Sequence, residues 1–298
     1  MNFIALLLAL GCERLLAAQR LLREPGWLLG YVRGALRLAA RRSGRALDLA
    51  IAALVLLPAL LVATLVYVLG GSLHGLVSVL LAATVLFFAL GPRDLWQEAG
   101  AYLAAEARGD AEATARLAGA ILDHDARQRR GAGLESVAEA VFVQSNNRLF
   151  GVVFWFPILG PAGALTFRIS DLTRREAILR AERADVPPGA VSLSQACQRL
   201  HGVIAWLPAR LLALSFGLAG SFEESFAGWR GYLHSESDHF FDANDRLLVH
   251  AGRGALGSAF ADAPDEAARV RAALGLAQRA LLVWLAAFAL ATVVAWIS

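Results

Sequence analysis

Arg210 stands in the middle of an apolar stretch from Leu200 to Gly220, two residues after Pro208. A guanidinium at the centre of a lipid-facing helix costs at least about 2.5 to 3.5 kcal/mol, so it must find a partner, water or the interface. Such a charge is a site candidate by default, and snorkelling is the plain alternative. Arg168 and Asp171, three residues apart, follow another apolar stretch. They can pair with each other or offer a fork to a carboxylate or phosphate. Glu135 and Glu139 share a helical face at a spacing of four. Paired carboxylates can hold a divalent ion, but Arg127, Arg129 and Arg130 nearby favour solvated surface acids. Arg108 and Asp110 flank Gly109 at an expected loop, where a polar ligand and a helix-terminal pair fit equally well.

Other constellations are weaker. His234, Asp238, His239 and Asp242 have helical spacings suited to zinc, but without a cysteine or an HExxH the polar-face reading is favoured. Asp123-His124-Asp125 reads as a solvated cap, because contiguous side chains diverge on a helix. No Gly-x-Ser-x-Gly occurs. All 28 basic residues are arginine. That excludes a Walker A phosphate loop and a Schiff-base lysine in their usual forms. Cys12 and Cys197 read as free, packed thiols. No metal site and no cofactor is expected.

The elements that position these residues are set by hydropathy. The chain of 298 residues is 57% hydrophobic and 18% charged, with mean hydropathy +0.54. No charge interrupts residues 49–69, 73–90, 149–167 or 280–298, and runs of about 18 or more are candidate membrane spans. The pattern predicts an all-α polytopic helical membrane protein with four or five apolar segments, plus amphipathic and cytoplasmic helices. Residues 1–45, with eight arginines between Glu13 and Arg45, read as interfacial amphipathic helices on the cytoplasmic side. The first twenty residues lack a basic leader and an A-x-A pattern, so they do not read as a signal peptide. A transmembrane hairpin follows over 46–91, with Pro58 inside its first span, and then a polar helical lobe over 92–148. Residues 149–220 combine a broken or re-entrant segment, interrupted at Pro157 and Gly160-Pro161, with an arginine-rich connector and the Arg210 helix. A polar block over 221–279 and a C-terminal span over 280–298 complete the chain.

Several runs resemble the AmpE proteins, membrane proteins associated with regulation of chromosomal beta-lactamase and relatives of the CobD/CbiB cobalamin-biosynthesis family. They are Glu13-Arg14-Leu15, Ala101-Tyr102-Leu103 before Arg108-Gly109-Asp110, and Phe154-Trp155-Phe156 leading into Leu159-Gly160-Pro161-Ala162-Gly163-Ala164-Leu165. To these belong Trp206-Leu207-Pro208-Ala209-Arg210-Leu211, and Asn244 thirteen residues before Gly257. The enzymatic relatives join an amino-alcohol or its phosphate to a corrinoid carboxylate. Their acid-asparagine pair and following aspartate correspond here to Glu139-Ala140 and Val143, and their asparagine-to-aspartate run is missing after Arg168. These departures favour the AmpE-like branch.

The resemblance therefore implies an inner-membrane regulatory protein linked to beta-lactamase induction and envelope sensing, more a sensor than an enzyme. Its expected partners are the bilayer and a small anionic or envelope-derived ligand, with no nucleic acid; the oligomeric state is open. Candidate ligand-binding residues are Arg108, Asp110, Glu135, Glu139, Arg168, Asp171, Arg210 and Asn244. The competing reading is an amide-forming enzyme of the CobD/CbiB type, in which Glu135, Glu139, Asp171 and Asn244 would bind substrate or a divalent metal.

Overall fold

A computed structural model describes residues 26–70, 76–90, 95–122, 136–182, 188–234 and 243–297. Cys12, Glu13, Arg14, Asp123-His124-Asp125, Glu135 and the side chains of the His234–Asp242 run lie outside the described residues. Every regular element among those described is a helix. In chain order they are α1 (Gly26–Ala39), α2 (Gly44–Gly70), α3 (Leu76–Leu90), α4 (Leu95–Ala107), α5 (Ala111–Leu122) and α6 (Val137–Ser145). A π-turn at Asn146–Phe150 leads into α7 (Gly151–Ala181). Then come α8 (Ala190–Ala219), α9 (Phe222–His234), α10 (Ala243–Leu256), the single turn α11 (Ser258–Ala261) and α12 (Glu266–Ile297).

Four stretches are long and apolar enough to cross a membrane: Gly44–Val68, Val137–Ala181, Ala190–Ala219 and Glu266–Val294. The protein is an all-α polytopic membrane protein. Helix α3 carries no charge, but its 15 described residues fall short of the roughly 20 that a bilayer needs.

The chain divides into two compact units, residues 1–93 with 151–204 and residues 94–150 with 205–298. In the first unit, α1 buries Leu28, Val32, Leu36 and Ala39, one stripe at helical spacing. That stripe packs with Leu47, Ile51, Leu54 and Val55 of α2, Leu165, Ile169, Leu172 and Ala177 of α7, and Leu193, Ala196 and Cys197 of α8. The Cys197 thiol is free and buried, as the sequence suggests.

Prolines inside apolar helices pose a local problem, because each removes the N–H that the carbonyl four residues earlier needs. Pro58 leaves the Leu54 carbonyl without its helical donor. Tyr31 of α1 supplies a substitute, its hydroxyl donating to the Leu54 oxygen at 2.8 Å. Pro208 does the same to Ile204, and there the Trp155 indole Nε1–H donates at 3.1 Å. Both breaks are closed by an aromatic residue from another helix, as irregular backbone at membrane depth requires.

Helix α7 is broken at Gly160, with φ 63° and ψ −154°. Pro161 follows directly, and proline disfavours a helical conformation in the residue before it. Three residues on, Gly163 lets the two halves approach, since a Cβ there would lie 2.5 Å from the Trp155 carbonyl oxygen.

In the second unit α6 is buried along its whole length, packed by α4, α5, α10 and α12. Phe142 anchors it, with its ring edge-on to Phe216 at 5.5 Å and tilted against Phe260 at 6.1 Å. Trp284 of α12 packs edge-on to Phe150 at 5.3 Å and donates to Ser215 Oγ at 2.7 Å. Helices α9 and α10 meet backbone to backbone: a Cβ at Gly228 would sit 2.7 Å from the His250 carbonyl oxygen.

Candidate functional site

The first unit holds a buried charge cluster just past the break in α7. Asp171 is fully buried, and helical spacing places Arg168, Arg174 and Arg175 around it. Arg174 donates to Asp171 Oδ1 at 3.0 Å, and Arg168 approaches Oδ2 at 3.5 Å. Arg175 Nε lies 3.0 Å from Oδ2, close enough for an ion pair though not aligned as a hydrogen bond. The expected Arg168–Asp171 pair is present, and two further arginines share the same carboxylate. Beside it the Ser170 hydroxyl meets His201 Nδ1 at 3.0 Å and donates to the Phe167 carbonyl at 2.7 Å. Both residues are buried. This polar pair escapes sequence reasoning, because its members lie 31 residues apart on different helices.

The second unit places Glu139 differently from the sequence expectation. Solvation by neighbouring arginines was favoured there; instead the side chain is 3% exposed. Its partner is Arg253 of α10, whose Nη1 donates to Oε1 at 3.0 Å. The physical reason is that α6 is the central helix of its unit, so the face carrying Glu139 meets α10 and not water. Ser136 caps α6, its hydroxyl accepting from the Glu139 N–H at 3.2 Å. Glu266 of α12 accepts from the Ala138 N–H at 2.9 Å. These groups open on a cavity of about 490 Å³ lined by Ser136, Glu139, Arg253, Phe260, Glu266 and Arg269, among others. It offers two carboxylates and two guanidiniums around an apolar wall.

Arg210 and Asn244, both candidates from the sequence, come together in this unit. Arg210 Nη1 donates to Asn244 Oδ1 at 3.0 Å and to the Trp206 carbonyl at 2.9 Å, and its guanidinium stacks 4.0 Å above the Trp206 ring. The charge that hydropathy marked as costly is met by an amide, a carbonyl and a π-face. Asp110 acts as a helix cap, its Oδ1 accepting from the Ala113 N–H at 3.0 Å, while Gly109 takes φ 69° to end α4. Arg108 is exposed beside it. Arg148, which the sequence reading passed over, is 4% exposed. It donates to Glu98 Oε2 at 2.6 Å and to Gln144 Oε1 at 3.0 Å. Only its spacing of four from Gln144 was visible in the sequence. Among the described residues no group of three potential ligands is arranged for a metal ion.

The CobD/Cbib protein family model matches residues 6–263. A relative from Chromobacterium violaceum, "Cobalamin biosynthesis protein CobD", is 28% identical over 183 residues, covering 61% of this chain and 55% of its own. One of the same name from Stutzerimonas stutzeri is 27% identical over 220 residues, covering 74% and 68%. The chain thus spans about half the length of the first relative. No solved structure matches. These findings overturn the expectation of a regulator linked to beta-lactamase induction, and they do not bear out the AmpE assignment. That expectation gave decisive weight to the departures at Ala140 and Val143, although Glu139 is retained, buried and paired. By a match that runs through most of its length, the chain belongs to the CobD/CbiB family.

Proposed function

We propose that this protein acts in cobalamin biosynthesis as a membrane-embedded, amide-forming enzyme, joining an amino-alcohol or its phosphate to a corrinoid carboxylate. The observation that carries this reading is the family match over residues 6–263, with Glu139 at the position of the family's acid and facing a cavity. Amide formation needs the carboxylate activated, ordinarily by transfer of a nucleoside triphosphate's terminal phosphoryl group to give an acyl phosphate and release a nucleoside diphosphate. The ammonium gives one proton to a base, the free amine attacks the acyl carbon and loses a second proton, and inorganic phosphate departs as the amide forms.

The second-unit cavity has groups for both partners. Arg253 and Arg269 suit an anionic carboxylate or phosphate, and Glu139 and Glu266 suit the ammonium form of the amine. The protein's four apolar spans and its family suit the bacterial inner membrane, which is the location we propose.

Complementation of a corrinoid-pathway deletion lacking this step tests the reading. Rescue of growth by the wild type, lost in Glu139→Gln and Arg253→Met at equal membrane abundance, supports it. No rescue by well-expressed wild type refutes it.

A further inference from the structure

The first unit contains a second cavity, of about 560 Å³, that the proposed reaction does not use. Arg33 and Arg37 of α1, Glu176 and Arg180 of α7, and Ala190 and Leu193 of α8 line it. Among the described charged residues lining it are three arginines and one acid, a formal excess of two positive charges.

Two of the arginines are fixed in place. Arg33 grips Glu176 as a fork, Nε to Oε2 at 3.0 Å and Nη2 to Oε1 at 2.9 Å. Arg180 Nη2 donates to the Arg33 carbonyl at 2.9 Å, which ties α7 to α1. Arg37, one turn beyond Arg33, is exposed and makes no ion pair among the described residues. Among the described residues lining the cavity, the one acid is thus engaged by one arginine, and Ala40, Ala190 and Leu193 supply apolar lining beside the guanidiniums.

Around the axis of α1 the buried stripe at Leu28, Val32, Leu36 and Ala39 is flanked on one side by the exposed Trp27, Tyr31 and Leu38 and on the other by Arg33 and Arg37. An apolar flank with an exposed tryptophan beside a basic flank is the arrangement of a helix lying in the headgroup plane. Helix α2 enters its span a few residues after α1 ends. That arrangement would set the cavity mouth near the headgroups, on the arginine-rich side.

We propose that this cavity binds a phosphoryl group, carried by an anionic lipid headgroup or by a free phosphate. Arginine forks match the planar oxygen pairs of a phosphate, and the volume lies within the usual range for small-ligand sites. The inference is independent of the amide-forming reading, because it concerns a different unit and a binding readout.

The test uses the full chain in detergent. One arm measures by native mass spectrometry the retention of phosphatidylglycerol against phosphatidylcholine. The other measures the melting temperature with and without millimolar inorganic phosphate. Each unit of charge near an anionic surface is worth about fivefold in affinity, so Arg37→Glu, a change of two units, should lower retention by about 25-fold and Arg180→Gln by about fivefold. Arg116→Glu, exposed on α5, should leave it unchanged. Preference for phosphatidylglycerol that falls in the two cavity variants supports a lipid source. A phosphate-dependent melting shift that falls in them, without lipid preference, supports a soluble one. Neither effect in the wild type, or effects that survive both cavity substitutions, overturns the proposal.

Discussion

Tyr31→Phe removes one oxygen atom, yet the bond it breaks has a specific reason to exist. The Leu54 carbonyl lacks a helical donor because Pro58 stands four residues on, and the Tyr31 hydroxyl replaces it at 2.8 Å. Leu54 is 4% exposed, so water is a poor substitute. An unsatisfied buried carbonyl costs about 1 to 3 kcal/mol, and that is the expected destabilisation of Tyr31→Phe. The decisive measurement repeats the substitution in a Pro58→Ala background, where residue 58 regains its N–H and the hydroxyl becomes redundant. There Tyr31→Phe should cost less than about 0.5 kcal/mol, the scatter expected of uncoupled sites, giving a coupling of about 0.5 to 3 kcal/mol. Reversible unfolding in mixed micelles, followed by tryptophan fluorescence, reads the four corners of the cycle. Equal costs of Tyr31→Phe in both backgrounds would refute the repair argument and leave the contact as ordinary packing.

Other substitutions probe other parts of the reasoning. Asp171→Asn keeps the shape but leaves three guanidiniums around a neutral amide; the same unfolding assay should show a loss of about 3 to 5 kcal/mol, and a loss below about 1 would deny the cluster its structural role. Gly228→Ala drives a Cβ against the His250 carbonyl oxygen and should cost about 1 to 3 kcal/mol, whereas Gly119→Ala, in open space, should be neutral or better. Desolvation, reinforced by Arg253 and Arg246, lowers the His250 pKa below its ordinary 6.5. The unfolded chain then binds the proton more readily, so stability is full above about pH 6.5 and falls as pH drops toward the lowered value. Melting temperatures recorded through that window should show this slope in the wild type, and His250→Gln should flatten it.

Spans and their interruptions were legible in the sequence because both follow from local composition. Charge-free runs announced the apolar helices, and Gly160-Pro161 announced the break in α7. The cost of a charge in hydrocarbon marked Arg210 as needing a partner, and Asn244, 34 residues on, provides it. What remained hidden depends on contacts distant in sequence. Arg253 lies 114 residues from Glu139 and Arg33 lies 143 from Glu176, so no spacing rule could join them. The burial of Glu139 is hidden for the same reason: arginines nine to twelve residues upstream suggest solvation, while α10 and α12 cover it. Tyr31 and Trp155 could be read as interfacial aromatics, but their use as donors to proline-orphaned carbonyls required knowing which helix faces which.

The break at Gly160 has a further consequence. A Cβ added there meets nothing within 4 Å, so bulk is no objection. The objection is handedness. At φ 63° and ψ −154° an L-residue carries strain of about 1 to 3 kcal/mol, whereas the inverted angles, −63° and 154°, lie in ordinary extended territory. The site is therefore permissive toward size and selective toward chirality. Among the twenty encoded amino acids only the achiral one occupies it without strain, although the surrounding space would admit a Cβ.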